Sequence, residues 1–540
     1  MSSPVVRDPR RGDSAPDGRA VAADDLDALA DRLEAHWVHL ARTPGLLADL
    51  LSRLNRDHFE ARPVLRLLRD RGRAPIPRPA EPVPDAITEV ERMIELMPGD
   101  ERRISIQHAL LLALKDHSQY QRAQDQAAAI RSLGEQLILN PAADFRLLGR
   151  ASLHNGVINL LAGDLIEAGA DLHAVTYLPE TYPVDLAGAA GELALLHAVH
   201  GEHATAERWA DYTESVADGW AEDWLNPGPH VAQLTAELIL ATDRLDWPRY
   251  EQVLGRLHTG RFVHDEHLHL AQYAQARAGL VRGQQRHLLD QITQLRRTWP
   301  KPVPEGSLPQ TLLAGVEVQL ALSVDDYNRA RTLITQRPED HHQALRLAGW
   351  QLATGRAGDA VGLLTKGPWL EQAPRRGVID LCLALATALY RTGEREQSAR
   401  YVLRALTQSG EPATMSHSLA GTDQSTLINA TRYETAVEVA LNELRRVLFI
   451  TPAADTGETR TAALTPREQL ILARLAEGGT AADIARTLVV SVHTVRNQIQ
   501  RIYRKLHATS RRHAIDIATR RGLLPTVEAS GDAGPDDQRA

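Results

Sequence analysis

The sequence predicts an all-α protein in which a long row of helical pairs precedes a small four-helix module. Three observations carry this reading. From residue 85 to about residue 450 apolar residues recur at helical spacing, and no run alternates as a half-buried strand would. Turns built on small residues interrupt that stretch at recurring intervals. The segment 464–524 then spells out the starts and stops of four short helices.

Residues 1–23 are rich in Pro, Asp, Arg and Gly and are expected to be disordered. An N-terminal helical element comes next, over 24–73, where Leu26, Leu29, Leu33, Trp37 and Leu40 begin the pattern and Pro44-Gly45 breaks it. A proline-rich connector, APIPRPAEPVP at 74–84, sets this element apart as either a cap on the helical row or a separate docking arm.

The row of helices, 85–450, is punctuated at Ala162-Gly163-Asp164, His200-Gly201-Glu202, Ala241-Thr242-Asp243, Arg282-Gly283-Gln284, Val324-Asp325-Asp326, Thr354-Gly355-Arg356 and Thr392-Gly393-Glu394. The spacing averages about 38 residues, within the range of helical-pair solenoids. One helical pair cannot bury its own apolar face, so such pairs must stack on one another. Two stretches read as surface connectors with the option of hinging: TWPKPVPEGSLP at 298–309 and the polar SGEPATMSHSLAGTD at 409–423. Residues 451–463 form a short tether, and 525–540 an acidic tail expected to be disordered.

Composition removes several classes of function. The single cysteine, Cys382, sits in an apolar run, which excludes an internal disulfide and favours a reducing, cytoplasmic setting. No secretion signal and no uninterrupted apolar stretch of ~18 residues is present. There is no G-x-x-x-x-G-K-[ST] phosphate loop, and no nucleophile, base and orienting group can be assembled, so no enzyme and no cofactor are expected. His264, His267 and His269, like His341 and His342, read as solvated helix starts, and no metal site is expected. Trp220, Trp224, Trp247 and Trp350 read as packing residues between repeats.

The last module is built from caps. Thr465 with Pro466 and Glu468 forms a capping box, Gly478 and Gly479 stop that helix, Thr480 with Asp483 opens a second, Ser491 a third and Ser510 a fourth. In the third, Val495, Ile499, Ile502 and Leu506 make one apolar stripe, while the opposite arc carries Arg496, Asn497, Gln500, Arg501 and Arg504. Arg can bond guanine bidentately, Asn and Gln can bond adenine, and further basic groups can neutralise phosphates. A short turn between the second and third helices is helix-turn-helix geometry. Charge agrees: residues 464–524 carry eleven Lys or Arg against four Asp or Glu, whereas the whole chain has a net charge of -8. A basic module on an acidic protein localises a nucleic-acid contact to that module.

LTPRE, the Ile484-Ala485 pair, SVHTVRNQIQRIYRKL and the serine-arginine start of the fourth helix together resemble the LuxR-type DNA-binding domain over about sixty residues. The resemblance implies that Arg496, Asn497 and Gln500 face base edges and that Arg501, Arg504 and Lys505 lie near phosphates, with Ser491 and Thr494 at the DNA-facing start of the same helix. Arg496 and Gln498 depart from the family's usual Lys and His. The family's fourth helix often pairs, which implies that Ile515, Ile517 and Ala518 support a homodimer on a two-fold site. Upstream, ELALLHAVHGEHATAERWADYTESV (192–216) and WQLATGRAGDAVGLL (350–364) resemble degenerate tetratricopeptide repeats. Large ATP-binding LuxR-type regulators join an ATPase, a helical repeat domain and this module; here the last two are expected without the ATPase. The implied function is a cytoplasmic transcription regulator whose repeat domain receives a protein, peptide or small-molecule signal, with double-stranded promoter DNA and RNA polymerase as partners. The alternative is an interaction scaffold that uses the basic module for attachment to nucleic acid or polymerase.

Overall fold

The computed structural model describes residues 26–41, 46–73, 85–140, 142–217, 228–259, 267–298, 306–449, 466–487, 495, 498–499, 502–503, 506, 508 and 510–520. The two expected tails, the proline-rich connector and the tether therefore lie outside the described residues. Every regular element among the described residues is helical. No described helix is long and apolar enough to cross a membrane.

Helix boundaries follow local chemistry. Asp144, Asp164, Asp326 and Asp340 each accept a backbone N–H at a helix start, and Gly163, Gly201 and Gly393 close helices in the left-handed conformation. Six of the seven expected turns fall between helices. The exception is Ala241-Thr242-Asp243, which lies inside the helix Gly228–Arg244; the chain reverses just after it, with Leu245 at φ 58°. Thr242 donates its hydroxyl to the Leu238 carbonyl at 2.8 Å and keeps the helical path, and Asp243 points into the core.

The N-terminal helices share one hydrophobic core with residues 86–158. Trp37 Nε1 donates to the Ser105 carbonyl at 3.1 Å, and His39 lies 2.8 Å from Asp144, so these helices form the first layers of the row. Beyond them, one helix of each pair packs against its counterpart in the next: Phe145–Ala162, Pro183–His200, Gly228–Arg244, Leu268–Val281, Leu308–Ser323, His341–Ala353 and Arg375–Thr392 run in sequence as an inner layer. This layer winds tightly. Phe145–Ala162 touches Leu308–Ser323, and Pro183–His200 touches Arg375–Thr392, four and five inner helices further along. Trp350 is buried in the shared core, Trp247 packs against that core, and Trp220 and Trp224 lie outside the described residues.

Where the winding closes, a buried ionic cluster forms around Asp243. Arg376 grips its carboxylate with Nη1 and Nη2 at 2.7 and 2.6 Å, Arg277 Nη1 donates at 2.5 Å, and His203 Nε2 lies at 2.9 Å. Burial by itself raises the carboxylate's pKa, but the guanidiniums of Arg376 and then Arg277 outweigh it and hold Asp243 well below the usual carboxylate range. Arg376 also donates to the carbonyls of Ala198 and Val199, capping the negative end of Pro183–His200. That approach explains Gly201, which has φ 84° and where an added Cβ would stand 3.1 Å from the Arg376 backbone nitrogen.

The segment 409–423 corrects the expectation of a surface loop. Its 3₁₀ turn Pro412–Met415 and short helix Ser416–Ala420 bury Met415, His417 and Leu419 against Gly228–Arg244 and Leu268–Val281. His417 Nε2 donates to the Arg277 carbonyl at 2.7 Å, and its Nδ1 accepts from the Arg277 guanidinium at 3.1 Å. Burial, and then the charge of Arg277, push its pKa down to about 3. An unfolded histidine takes a proton near pH 6.5, so below that value the unfolded chain binds a proton that His417 refuses. The expected result is a loss of stability on going from pH 7.5 to 5.5, up to about 1.4 kcal/mol per pH unit per such histidine. Urea midpoints at several pH values check this, and His417→Gln should flatten the slope; an unchanged slope would refute the assignment.

The other histidines also differ from the solvated starts expected of them. His267 is buried with Nε2 3.0 Å from Glu192, and His269 is buried; His264 lies outside the described residues. Among the described residues no three His, Cys, Asp or Glu side chains converge as a metal would require. Cys382 is fully buried, and burial pushes its thiol up to about 11, as suits a small core residue.

Candidate nucleic-acid interface

The C-terminal module assembles from its caps inward. Its first helix, Pro466–Ala476, stops where Gly478 takes φ 97° and the Gly479 N–H reaches back to the Arg474 carbonyl at 3.0 Å, a Schellman closure. Thr480 and Asp483 then bond reciprocally: the Asp483 N–H donates to Thr480 Oγ at 3.3 Å, and the Thr480 N–H and hydroxyl donate to the Asp483 carboxylate at 3.1 and 2.5 Å. The Thr480 hydroxyl is the main cause of the lowered pKa of Asp483. This box starts the helix Ala481–Thr487. Ser510 Oγ accepts the His513 N–H at 3.2 Å and starts Arg511–Arg520. Thr465 and Ser491, the other two expected caps, lie outside the described residues.

The expected apolar stripe is buried in full. Val495, Ile499, Ile502 and Leu506 form one core with Ile471, Leu472, Leu475, Ile484, Ala485, Ala514 and Ala518. Residues 495, 499, 502 and 506 thus serve as the inward seam of the third helix. All eight residues assigned to DNA, Ser491, Thr494, Arg496, Asn497, Gln500, Arg501, Arg504 and Lys505, lie outside the described residues. What is fixed is the platform behind them.

Two features of that platform were not read from sequence. Arg511 Nη2 donates to the Leu475 carbonyl at 2.5 Å, tying the fourth helix to the C-terminal end of the first. Its signal is faint, because an arginine at a helix start reads first as a phosphate contact. Ala518 turns into the core, so of the three residues assigned to pairing only Ile515 and Ile517 remain partly exposed.

Residues 462–518 match the family model described as bacterial regulatory proteins, luxR family. The C-terminal module is a LuxR-family helix-turn-helix domain. The chain is also similar to the transcriptional regulatory protein YdfI of Bacillus subtilis (strain 168), with 36% identity over 84 residues, 16% of this chain and 38% of the relative. The match to that relative thus spans well under half of its length. The LuxR-family domain covers about a tenth of the present chain, and the helical array lies outside the match.

Proposed function

We propose that this protein is a cytoplasmic, non-enzymatic transcription regulator that binds double-stranded promoter DNA through the LuxR-family domain and receives a signal in its helical array. The observation that carries the reading is the inward seam of the third helix. With Val495, Ile499, Ile502 and Leu506 committed to the core, the residue types on the opposite helical arc are those that read base edges and neutralise phosphates. The excess of basic residues in 464–524 on an acidic chain supports the same interface. The similarity to a protein named as a transcriptional regulator points the same way. On this reading the domain binds as a homodimer and acts on RNA polymerase, and a signal that favours one arrangement of the array shifts the DNA-binding equilibrium by its differential affinity.

Genome-wide mapping of bound DNA followed by footprinting of an enriched site tests the proposal. The expected result is protection of a discrete, roughly palindromic site, with an affinity that falls steeply with salt because several phosphates are neutralised. Uniform binding with no enriched sequence would replace the regulator by the scaffold.

A further inference from the structure

The inner helices line an open cavity of about 2970 Å³. Leu280, Leu312, Val316 and Leu383 give part of its lining an apolar character, and His200, His341, His342 and Arg346 supply polar nitrogen groups. Three features of this lining bear on what it could bind.

The first is Arg346. Among the described residues its guanidinium makes no ion pair, its Nε is buried without a hydrogen-bond partner, and its Nη1 reaches the Thr311 carbonyl at a long 3.5 Å. The guanidinium is half-buried, and a buried polar nitrogen left without a partner is costly. Asp340 is near in sequence, but its carboxylate caps the helix His341–Ala353 by accepting the Gln343 N–H at 2.8 Å. The other two arginines of the buried cluster that reach this cavity, Arg277 and Arg376, are committed to Asp243.

The second feature is His341. Its ring occupies the notch left by Gly377, where a Cβ would come within 2.8 Å, and its Nε2 is buried without a partner. Burial lowers its pKa, which leaves a neutral ring able to donate one hydrogen bond.

The third is a pair of glycines inside helices. Gly315 and Gly349 both line the cavity, and neither has the left-handed conformation that would call for glycine. A Cβ at Gly315 would meet nothing within 4 Å, and one at Gly349 only Leu322 Cδ1 at 3.9 Å. Glycine weakens a helix interior relative to alanine, so packing and backbone geometry both argue against it here. Gly315 lies one turn beyond Thr311 and Gly349 one turn beyond Arg346, so the two absent side chains leave room beside the unpaired guanidinium.

We propose that this cavity binds a small organic anion, with its carboxylate or phosphate head on Arg346 and its apolar body along Leu312 and Val316 in the space kept by Gly315 and Gly349. The inference rests on reading the array as the signal-receiving part of the regulator, and it names the chemistry of that signal. A charge-assisted bond would satisfy the guanidinium, and burial of the body would supply affinity.

Calorimetric titration of the full chain with octanoate, octyl phosphate and octylamine tests it. Saturable one-to-one binding of octanoate or octyl phosphate, with no binding of octylamine, is the expected result, and the tighter of the two anions identifies the head group. Arg346→Gln should weaken that binding at least tenfold. Gly315→Leu should do the same by filling the cavity, while the circular-dichroism spectrum and thermal midpoint stay at the wild-type values. Failure of both anions to bind saturably, octylamine binding as tightly, or wild-type affinity in both variants would overturn the site. DNA binding measured on the same preparation without probe separates the two readings: its loss would refute the regulator, and its presence without anion binding would refute only the site.

Discussion

Asp243→Asn is expected to lower the stability of the full chain by about 3–5 kcal/mol, the range for removing one partner from a buried charge network. The substitution keeps the shape of the side chain and removes its charge. Arg376 and Arg277 would then lose the carboxylate they both bond, leaving Asp380 as the acidic side chain near them, and the amide's NH₂ group would point at donors. The effect should reach beyond Asp243, because the same guanidiniums hold the end of Pro183–His200 and the segment carrying His417. Urea unfolding at neutral pH measures the loss, and limited proteolysis should show new cleavage within 409–423. A shift of less than about 1 kcal/mol would show that the cluster is a passenger in the packing rather than a clasp. The pH dependence has a definite sign. With its folded pKa depressed, Asp243 contributes fully above the unfolded carboxylate value near 4, and its contribution is lost as pH falls from there through the folded value. The acid sensitivity expected from His417 begins about two pH units higher, so the two can be told apart in one titration.

Arg496→Ala is expected to weaken binding to a specific operator by about 1–3 kcal/mol, the value of one bidentate base contact. The reasoning starts from the core. Val495 and Ile499 belong to the buried seam, and position 496 is about 100° round a helical wheel from Val495, outside that seam. Thermal stability should therefore stay at the wild-type value while sequence preference relaxes at one base position. A phosphate contact behaves differently: Arg504→Ala should weaken binding to all sequences alike and reduce the salt slope by about one. Fluorescence titration against the footprinted site and a scrambled duplex reads both. Unchanged affinity and preference in Arg496→Ala would remove that residue from the interface.

Much of the architecture was legible because it is set within a few residues of chain. The seam of the third helix follows from steps of four, three and four, and the Thr480-Asp483 box from two side chains that bond the backbone beside them. Turns at Gly163, Gly201, Gly283 and Gly393 were readable because glycine adopts the left-handed conformation that ends a helix there. The same local logic misplaced a turn at 241–243. Thr242 and Asp243 are turn-forming types, and only the distant arginines explain why the helix continues through them. It also read 409–423 as a surface connector, since Ser, Gly, Pro and His resemble a loop until the Arg277 backbone is seen to receive His417.

The sequence by itself determined most of the helix ends, the seam and basic character of the C-terminal domain, and the recurrence of helical pairs, all consequences of periodicity and capping. The tertiary structure alone decided that the array winds onto itself. Asp243 meets Arg376 across 133 residues, and Arg277 meets His417 across 140. Contacts of that range depend on how a small rotation between neighbouring pairs accumulates along the row, a quantity that no short stretch of residues encodes. The same winding sets Arg346 on the wall of the cavity, with no ion pair among the described residues, where the sequence shows an ordinary helical arginine.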